Sequence, residues 1–352
     1  MKKFAVFSGF LGSGKTTTMI ALTKHFSSHH GKAAMISNDL GHGVSLADNK
    51  LASLSGCSAS EITDDCICYV NELLAERLKA YYDDGFSLVI SDIPGFGVGA
   101  LEHVYHGLAE KFPGRFELAP FTVLVEPQTL SLLEKGCAGE LEYIYDTQLK
   151  EADLIVLNKC DSISDEEKAS CLSFLAERYP HARTVAISAL RGEGLEALSQ
   201  ALIKGKASMR LPDIGYGGEA FISAMGRMTE LYIQYRAIVC CNDFDGTAYL
   251  SDLAERIAEL IRAAGREIPH LKLLAWEGEG DYAKVDLIGA HRAVEINHRF
   301  RSPASAVAVL LNTSAECPAD ILEDIIFDAL YSVSEKYRLE LQIFKKETLP
   351  MG

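Results

Sequence analysis

Between residues 9 and 17 the chain reads GFLGSGKTT, which fits G-x-x-x-x-G-K-[ST] directly after the apolar strand candidate FAVFS at 4–8 and directly before a helical pattern over 15–29. Gly9, Gly12 and Gly14 let the backbone curl so that the N–H groups of the loop, through Ser13, Thr16 and Thr17, face a chain of phosphates. Lys15 would reach the β and γ phosphates, and Thr16 would offer its hydroxyl to Mg²⁺. The helix N-terminus that follows adds a favourable potential for an anion. A nucleoside triphosphate is the ligand this chemistry specifies.

The stretch SLVISDIPGFG at 87–97 supplies the partner element: Asp92 ends an apolar strand, where it would hold Mg²⁺ or its water, and Gly95 would offer an N–H near the γ-phosphate. Farther on, LIVLNKCD ends a strand with Asn158, Lys159 and Asp161, the N-K-x-D arrangement found in GTPases. A carboxylate at Asp161 accepts from both N1–H and the exocyclic amine of guanine, whereas adenine has no such donor pair. In ISALRGEG, Ser188 and Ala189 are expected to place a backbone N–H against the guanine oxygen. GTP and GDP are therefore expected ahead of ATP.

These residues need a frame, and the apolar runs describe one. Strand candidates at 4–8, 33–37, 86–91, 118–125, 153–157 and 183–187 alternate with helical segments, including one near 99–111. Such alternation predicts an α/β P-loop NTPase fold whose mostly parallel sheet is buried on both faces, with functional residues at the carboxyl ends of its strands. This domain is expected over residues 1–204, a linker or irregular entry segment over 205–230, and a smaller C-terminal α+β domain of ferredoxin-like character, in the order βαβββαβ, over 231–352. The chain has 352 residues, enough for two domains, and a net charge of −15, which disfavours nucleic acid and anionic membrane as partners. No signal-peptide pattern or apolar run of spanning length is evident, so a cytoplasmic location is the default. In a reducing compartment the nine cysteines are read as core thiols, ligands or redox groups.

The stretch EITDDCICYVNEL at 61–73 then takes on meaning. Taken together, the motifs resemble the CobW-type branch of the P-loop metallochaperone GTPases, related to the urease and hydrogenase nickel-insertion GTPases. The resemblance is specific over 1–203 and looser beyond. It aligns ISNDLGHGVSLADN with the family's first switch-like segment, which implies switch and Mg²⁺-side roles for Asn38, Asp39 and Asp48, with Asp39 or Asp48 orienting the attacking water. Lys15, Asp92 and Asp39 thus form the implied catalytic set. It also aligns SEITDDCICYV with the family's cysteine loop, which makes Glu61, Cys66 and Cys68 the implied ligands of Zn²⁺ or another transition metal, but Tyr69 stands where a third family cysteine would be. Further ligands would have to come from Cys57, Asp64, Asp65 or His42, and the alternative is that both thiols are simply buried.

The resemblance implies a GTPase that couples hydrolysis to delivery of a metal or metallocofactor to a client enzyme, with slow turnover until a partner or homodimerisation completes the site. The alternative is a regulatory GTPase that carries no metal and activates a corrinoid-bearing or other cofactor-bearing client. His29 and His30 read as helix-terminus residues, His103 and His106 as a shared helical face, and Cys240–Cys241 as the buried end of a strand.

Overall fold

The computed structural model describes residues 2–38, 47–63, 66–215, 217–240, 243–278 and 280–351. The chain divides into two compact units, Met1–Leu40 with Ser55–Ala224, and Gly41–Leu54 with Met225–Gly352.

The first unit begins with β1 (Lys3–Ser8), α1 (Lys15–His29) and β2 (Ala33–Asn38); α2 (Ala47–Leu54) belongs to the second unit. Then follow β3 (Ser58–Ile62), α3 (Asn71–Asp83), β4 (Leu88–Asp92), α4 (Gly107–Lys111), β5 (Glu117–Leu118), β6 (Thr122–Val125), α5 (Pro127–Glu134) and α6 (Glu142–Glu151). The unit closes with β7 (Leu154–Leu157), α7 (Asp165–Arg178), β8 (Arg183–Ala186), α8 (Leu195–Lys204) and α9 (Glu219–Met225). Its sheet runs β3-β2-β4-β1-β6-β7-β8, with β5 also on β1, and every pairing is parallel. Strands β1, β2, β4, β6 and β7 are buried along their whole length, which is why they read as unbroken apolar runs rather than alternating ones. Phe7 is in register with Asp92, so the loop leaving β1 and the carboxylate ending β4 emerge side by side.

Two local readings change. The single strand expected over 118–125 is two short ones around Pro120, whose missing N–H interrupts the ladder. The expected helix at 99–111 winds as π-helix over Leu101–His106 before tightening into α4. Residues 205–224, read as part of a linker, belong to the first unit. Lys3, buried at the start of β1, donates Nζ to the carbonyls of Leu202 (3.0 Å) and Gly205 (2.5 Å), and Ser208 Oγ donates to Asp153 at 2.5 Å.

The second unit contains β9 (Thr229–Val239), α10 (Gly246–Ala263), β10 (Glu267–Glu277), β11 (Asp281–Leu287), β12 (Glu295–His298), β13 (Ala306–Glu316), α11 (Ala319–Tyr337) and β14 (Leu339–Pro350). Its antiparallel sheet is ordered β12-β11-β10-β13-β9-β14. Strands β14, β9, β13 and β10 with the two helices reproduce the ferredoxin-like βαββαβ arrangement, and β11 and β12 extend one edge. Asp245 caps α10 by accepting from the N–H groups of Thr247 and Ala248. The apolar face of α10, through Leu250, Leu253 and Ile257, joins Ile326 and Leu330 of α11 in one core with the sheet. On the N-terminal segment of this unit, Asp48 of α2 pairs with Lys272 of β10, and the Lys50 ammonium lies 4.8 Å from the centre of the Trp276 ring. Cys240, expected in the core, is exposed just past β9, and Cys241 lies outside the described residues.

Candidate functional site

The glycine loop has the conformation that its composition demands. Gly9, Gly12 and Gly14 have φ of 132°, 79° and 88°, and a Cβ on Gly9 would stand 2.3 Å from the Leu124 carbonyl oxygen, one on Gly14 2.3 Å from Asn158 Nδ2. Only glycine fits both the dihedrals and the space. Lys15 folds over the loop with Nζ donating to Gly9 O at 2.5 Å, and the hydroxyl of Ser13 is buried with no hydrogen-bond partner among the described residues. A glycine loop opening a helix N-terminus, a lysine folded back onto the carbonyls of Gly9 and Phe10 and an orphaned buried hydroxyl fit a phosphate chain. Thr16 lies in the first turn of α1 and is buried, as is Asp92 at the end of β4. A Cβ on Gly95 would meet Leu11 at 2.5 Å, and the Gly95 and Gly97 carbonyls each accept from Gln148 Nε2 at 3.0 Å, so the loop after Asp92 lies close against the glycine loop.

Asn158 ties this centre to the base-side loops: its Nδ2 donates to Ser13 O at 2.9 Å, and its Oδ1 accepts from Ala189 N at 3.1 Å. Lys159 adopts a left-handed backbone (φ 61°), and its Nζ pairs with Glu126 at 2.8 Å. Asp161 is on a 3-10 turn over Cys160–Ser162 with Arg191 Nε 3.8 Å away. Of the two residues expected to place an N–H against guanine, Ser188 donates its N–H to Glu193 O and Ala189 donates its own to Asn158 Oδ1. The Ala189 N–H helps to hold Asn158. Glu126 and Gln148 carried no local sequence signal; both reach the site from other strands' connections.

The cysteine loop is attached to the same centre by one side chain. Asp92 Oδ1 accepts from the backbone N–H of Asn38 at 2.9 Å. Buried Asn38 then donates Nδ2 to Ile62 O at 3.1 Å and accepts at Oδ1 from the N–H of Ile67 at 3.0 Å, between the two cysteines. Cys66 and Cys68 converge, Sγ to Sγ 2.9 Å, and the hydrogen bond to Cys66, together with burial, pushes the Cys68 thiol well up; the negative charge of Glu151 adds to this. Asn71 Nδ2 donates to the carbonyls of Cys68 (3.0 Å) and His103 (3.2 Å), tying this loop to the π-helical segment. Glu151 accepts from the N–H groups of Gly99 (2.9 Å) and Leu101 (3.3 Å), and its burial pushes its carboxyl up to about 7.

Asp48, expected on the Mg²⁺ side, is engaged with Lys272 in the second unit, because α2 folds with that unit's sheet. Asp39, His42, Asp64 and Asp65 lie outside the described residues. Cys57 Sγ is turned towards the Ile20 carbonyl, 3.8 Å away. Glu61 is on β3 opposite Ser37 and joins no group of three ligand atoms with Cys66 and Cys68 among the described residues. His106 bonds the Met209 carbonyl at 3.0 Å.

Residues 3–186, just over half of the chain, match the CobW/HypB/UreG nucleotide-binding domain. The chain belongs to this family of P-loop GTPases. GTPase Obg of Chlorobium chlorochromatii (strain CaD3) is 32% identical over 144 residues, covering 39% of this chain and 40% of that protein, so the chain spans less than half of that relative's length. Among solved structures, HypB from Helicobacter pylori in complex with nickel is similar over 59% of this chain and 91% of that one, with 18% identity and a TM-score of 0.43. Zn(II)-bound YjiA GTPase from E. coli is similar over 94% and 98%, with 14% identity and a TM-score of 0.33. Among the described residues of this CobW/HypB/UreG member, no helix is long and apolar enough to cross a membrane.

Proposed function

We propose that this chain binds GTP, hydrolyses it slowly to GDP and phosphate, and uses the change at the γ-phosphate to alter the loop carrying Cys66 and Cys68 while a transition metal or metallocofactor is passed to a client protein. The observation that carries the reading is the chain Asp92–Asn38–Ile67, which leads from the Mg²⁺-side carboxylate to the peptide between the two cysteines. Lys15 would exchange its loop carbonyls for β and γ phosphate oxygens, and the loop N–H groups would stabilise charge developing there. Thr16 and Asp92 would hold Mg²⁺, which neutralises phosphate charge. Asp161, steered by the backbone that Lys159 sets, would read guanine. Because Asp92 Oδ1 already holds the Asn38 N–H, recruitment of this carboxylate to the nucleotide side pulls on the cysteine loop.

The two thiols suit a soft ion by type, and a full coordination sphere would need ligands beyond the pair, from the client or from outside the described residues. Alkylation rates of Cys68 and Zn²⁺ affinity, compared between GTPγS and GDP forms, test the coupling; identical values in both forms overturn it.

A regulatory GTPase that carries no ion is the second reading. It is favoured by the raised Cys68 thiol, the direct Cys66–Cys68 contact and the 59% exposure of Tyr69, which suit a surface for a cofactor-bearing client. Zn²⁺ uptake that is the same in the parent and in a Cys66→Ala/Cys68→Ala variant would select this reading.

A further inference from the structure

A second set of metal-ligating side chains sits at the opposite end of the helix that begins at Lys15. His25 and His29 lie in the last two turns of α1, His30 is its C-cap, and Glu196 is in the first turn of α8. His25 Nε2 and His30 Nε2 each lie 2.9 Å from the same atom, Glu196 Oε2. The three ligand atoms fall within 4.8 Å of one another, the only such group of three or more His, Cys, Asp or Glu ligands among the described residues. A tetrahedral ion with bonds near 2.0–2.1 Å separates its ligand atoms by roughly 3.4 Å, so each imidazole nitrogen needs to move only about half an ångström from the carboxylate oxygen to receive one.

Each ligand is also oriented by a neighbour, as side chains in metal sites generally are. The His30 ring packs 5.3 Å from Phe26, the His25 ring stacks on His29 at 4.4 Å, and Glu196 Oε1 accepts from Gln200 Nε2 at 2.9 Å. The imidazoles are mostly withdrawn from solvent, with side-chain exposures of 21% and 19%, while the carboxylate, at 54%, stands at the mouth. The C-terminal end of α1 carries partial negative charge, which also favours a cation.

We infer that His25, His30 and Glu196 form a binding site for a borderline divalent transition ion such as Zn²⁺, Co²⁺ or Ni²⁺, with a coordination position left open to water. Two imidazoles and one carboxylate suit these ions; the set lacks the oxygen-rich shell of Mg²⁺ or Ca²⁺ and the thiolates preferred by Cu⁺. An open position makes the ion exchangeable. At 1.5 Å per residue the fifteen residues of α1 put the site about 20 Å from the glycine loop. It depends on neither the nucleotide nor the cysteine loop.

The competing account is a hydrogen-bonded clamp between α1 and α8 that takes no ion. A Cys66→Ser/Cys68→Ser variant, purified free of metal, is titrated with Zn²⁺ by calorimetry and with Co²⁺ by visible absorption. The expected result is one bound ion, with ligand-field bands of a nitrogen–oxygen site and no thiolate charge-transfer band. Adding His25→Gln and His30→Gln should weaken binding roughly 100-fold or more, and Glu196→Gln alone should weaken it while the circular dichroism stays native. No ion taken up by the cysteine-free variant, or unchanged affinity after both histidines are replaced, overturns the assignment. Since no nucleotide enters these measurements, failure of the GTP switch would leave the result unaffected.

Discussion

The N–H of Ile67 donates to the side chain of Asn38 at 3.0 Å, and the N–H of Asn38 in turn donates to Asp92 at 2.9 Å. Asn38 is 4% exposed, so replacing it with alanine strands the Ile67 N–H and the Ile62 carbonyl in the interior. Asn38→Ala is expected to cost about 1–3 kcal/mol in denaturant unfolding and to speed alkylation of Cys68. Parent-like stability and reactivity would show that the loop is held by other contacts.

At Gly14 the restriction is steric and conformational together. Gly14→Ala puts a Cβ 2.3 Å from Asn158 Nδ2 at a φ of 88°. The clash displaces the side chain that joins the glycine loop to the base-side loops, so titration with a fluorescent GTP analogue should show a loss of affinity of roughly 100-fold, alongside strain of about 1–3 kcal/mol. Retained affinity would place the nucleotide elsewhere.

Specificity for guanine is expected to rest on Asp161. In Asp161→Asn the acceptor pair for guanine is lost, and xanthosine nucleotides, which present the complementary oxygen, become the better ligands. The expected drop in GTP affinity is about 100-fold or more. Competition between XTP and GTP reads this out, and unchanged preference for GTP would remove Asp161 from the site.

Glu151 makes stability depend on pH. Its folded-state value of about 7 lies above the 4.5 of an exposed glutamate, so between those values the folded chain holds a proton that the unfolded chain has released. Stability therefore falls as pH rises through this window, by an amount on the order of 3 kcal/mol once both states are ionised. Glu151→Gln keeps an acceptor for the Gly99 and Leu101 N–H groups, so it should match the parent near pH 4.5 and exceed it in unfolding free energy at pH 8. Parallel pH profiles for the two proteins would contradict this.

Much of the candidate site is legible without coordinates because it is written in short contiguous spans. Gly9, Gly12, Gly14, Lys15 and Thr16 fall within eight residues, and their spacing alone specifies a strand, a curled loop and a helix N-terminus. Asp92 and the Asn158–Asp161 run are likewise marked by the buried strands they terminate. The ferredoxin-like order of the second unit follows from apolar periodicity, and β12 escapes it because its four residues are too few to show a period.

What the amino-acid order determined by itself, then, is the local machinery: a phosphate loop, strand-end carboxylates and a pair of cysteines two residues apart. Tertiary structure alone decided which of these meet. Asn38 faces Ile67 because β2 pairs with β3 and with β4; Asp48 pairs with Lys272 because α2 folds with the second unit's sheet. His30 meets Glu196 across 166 residues because α8 runs beside α1. Backbone curvature and helix starts are set by neighbours in sequence, whereas these pairings are set by strand order and helix packing, and no local spacing encodes them.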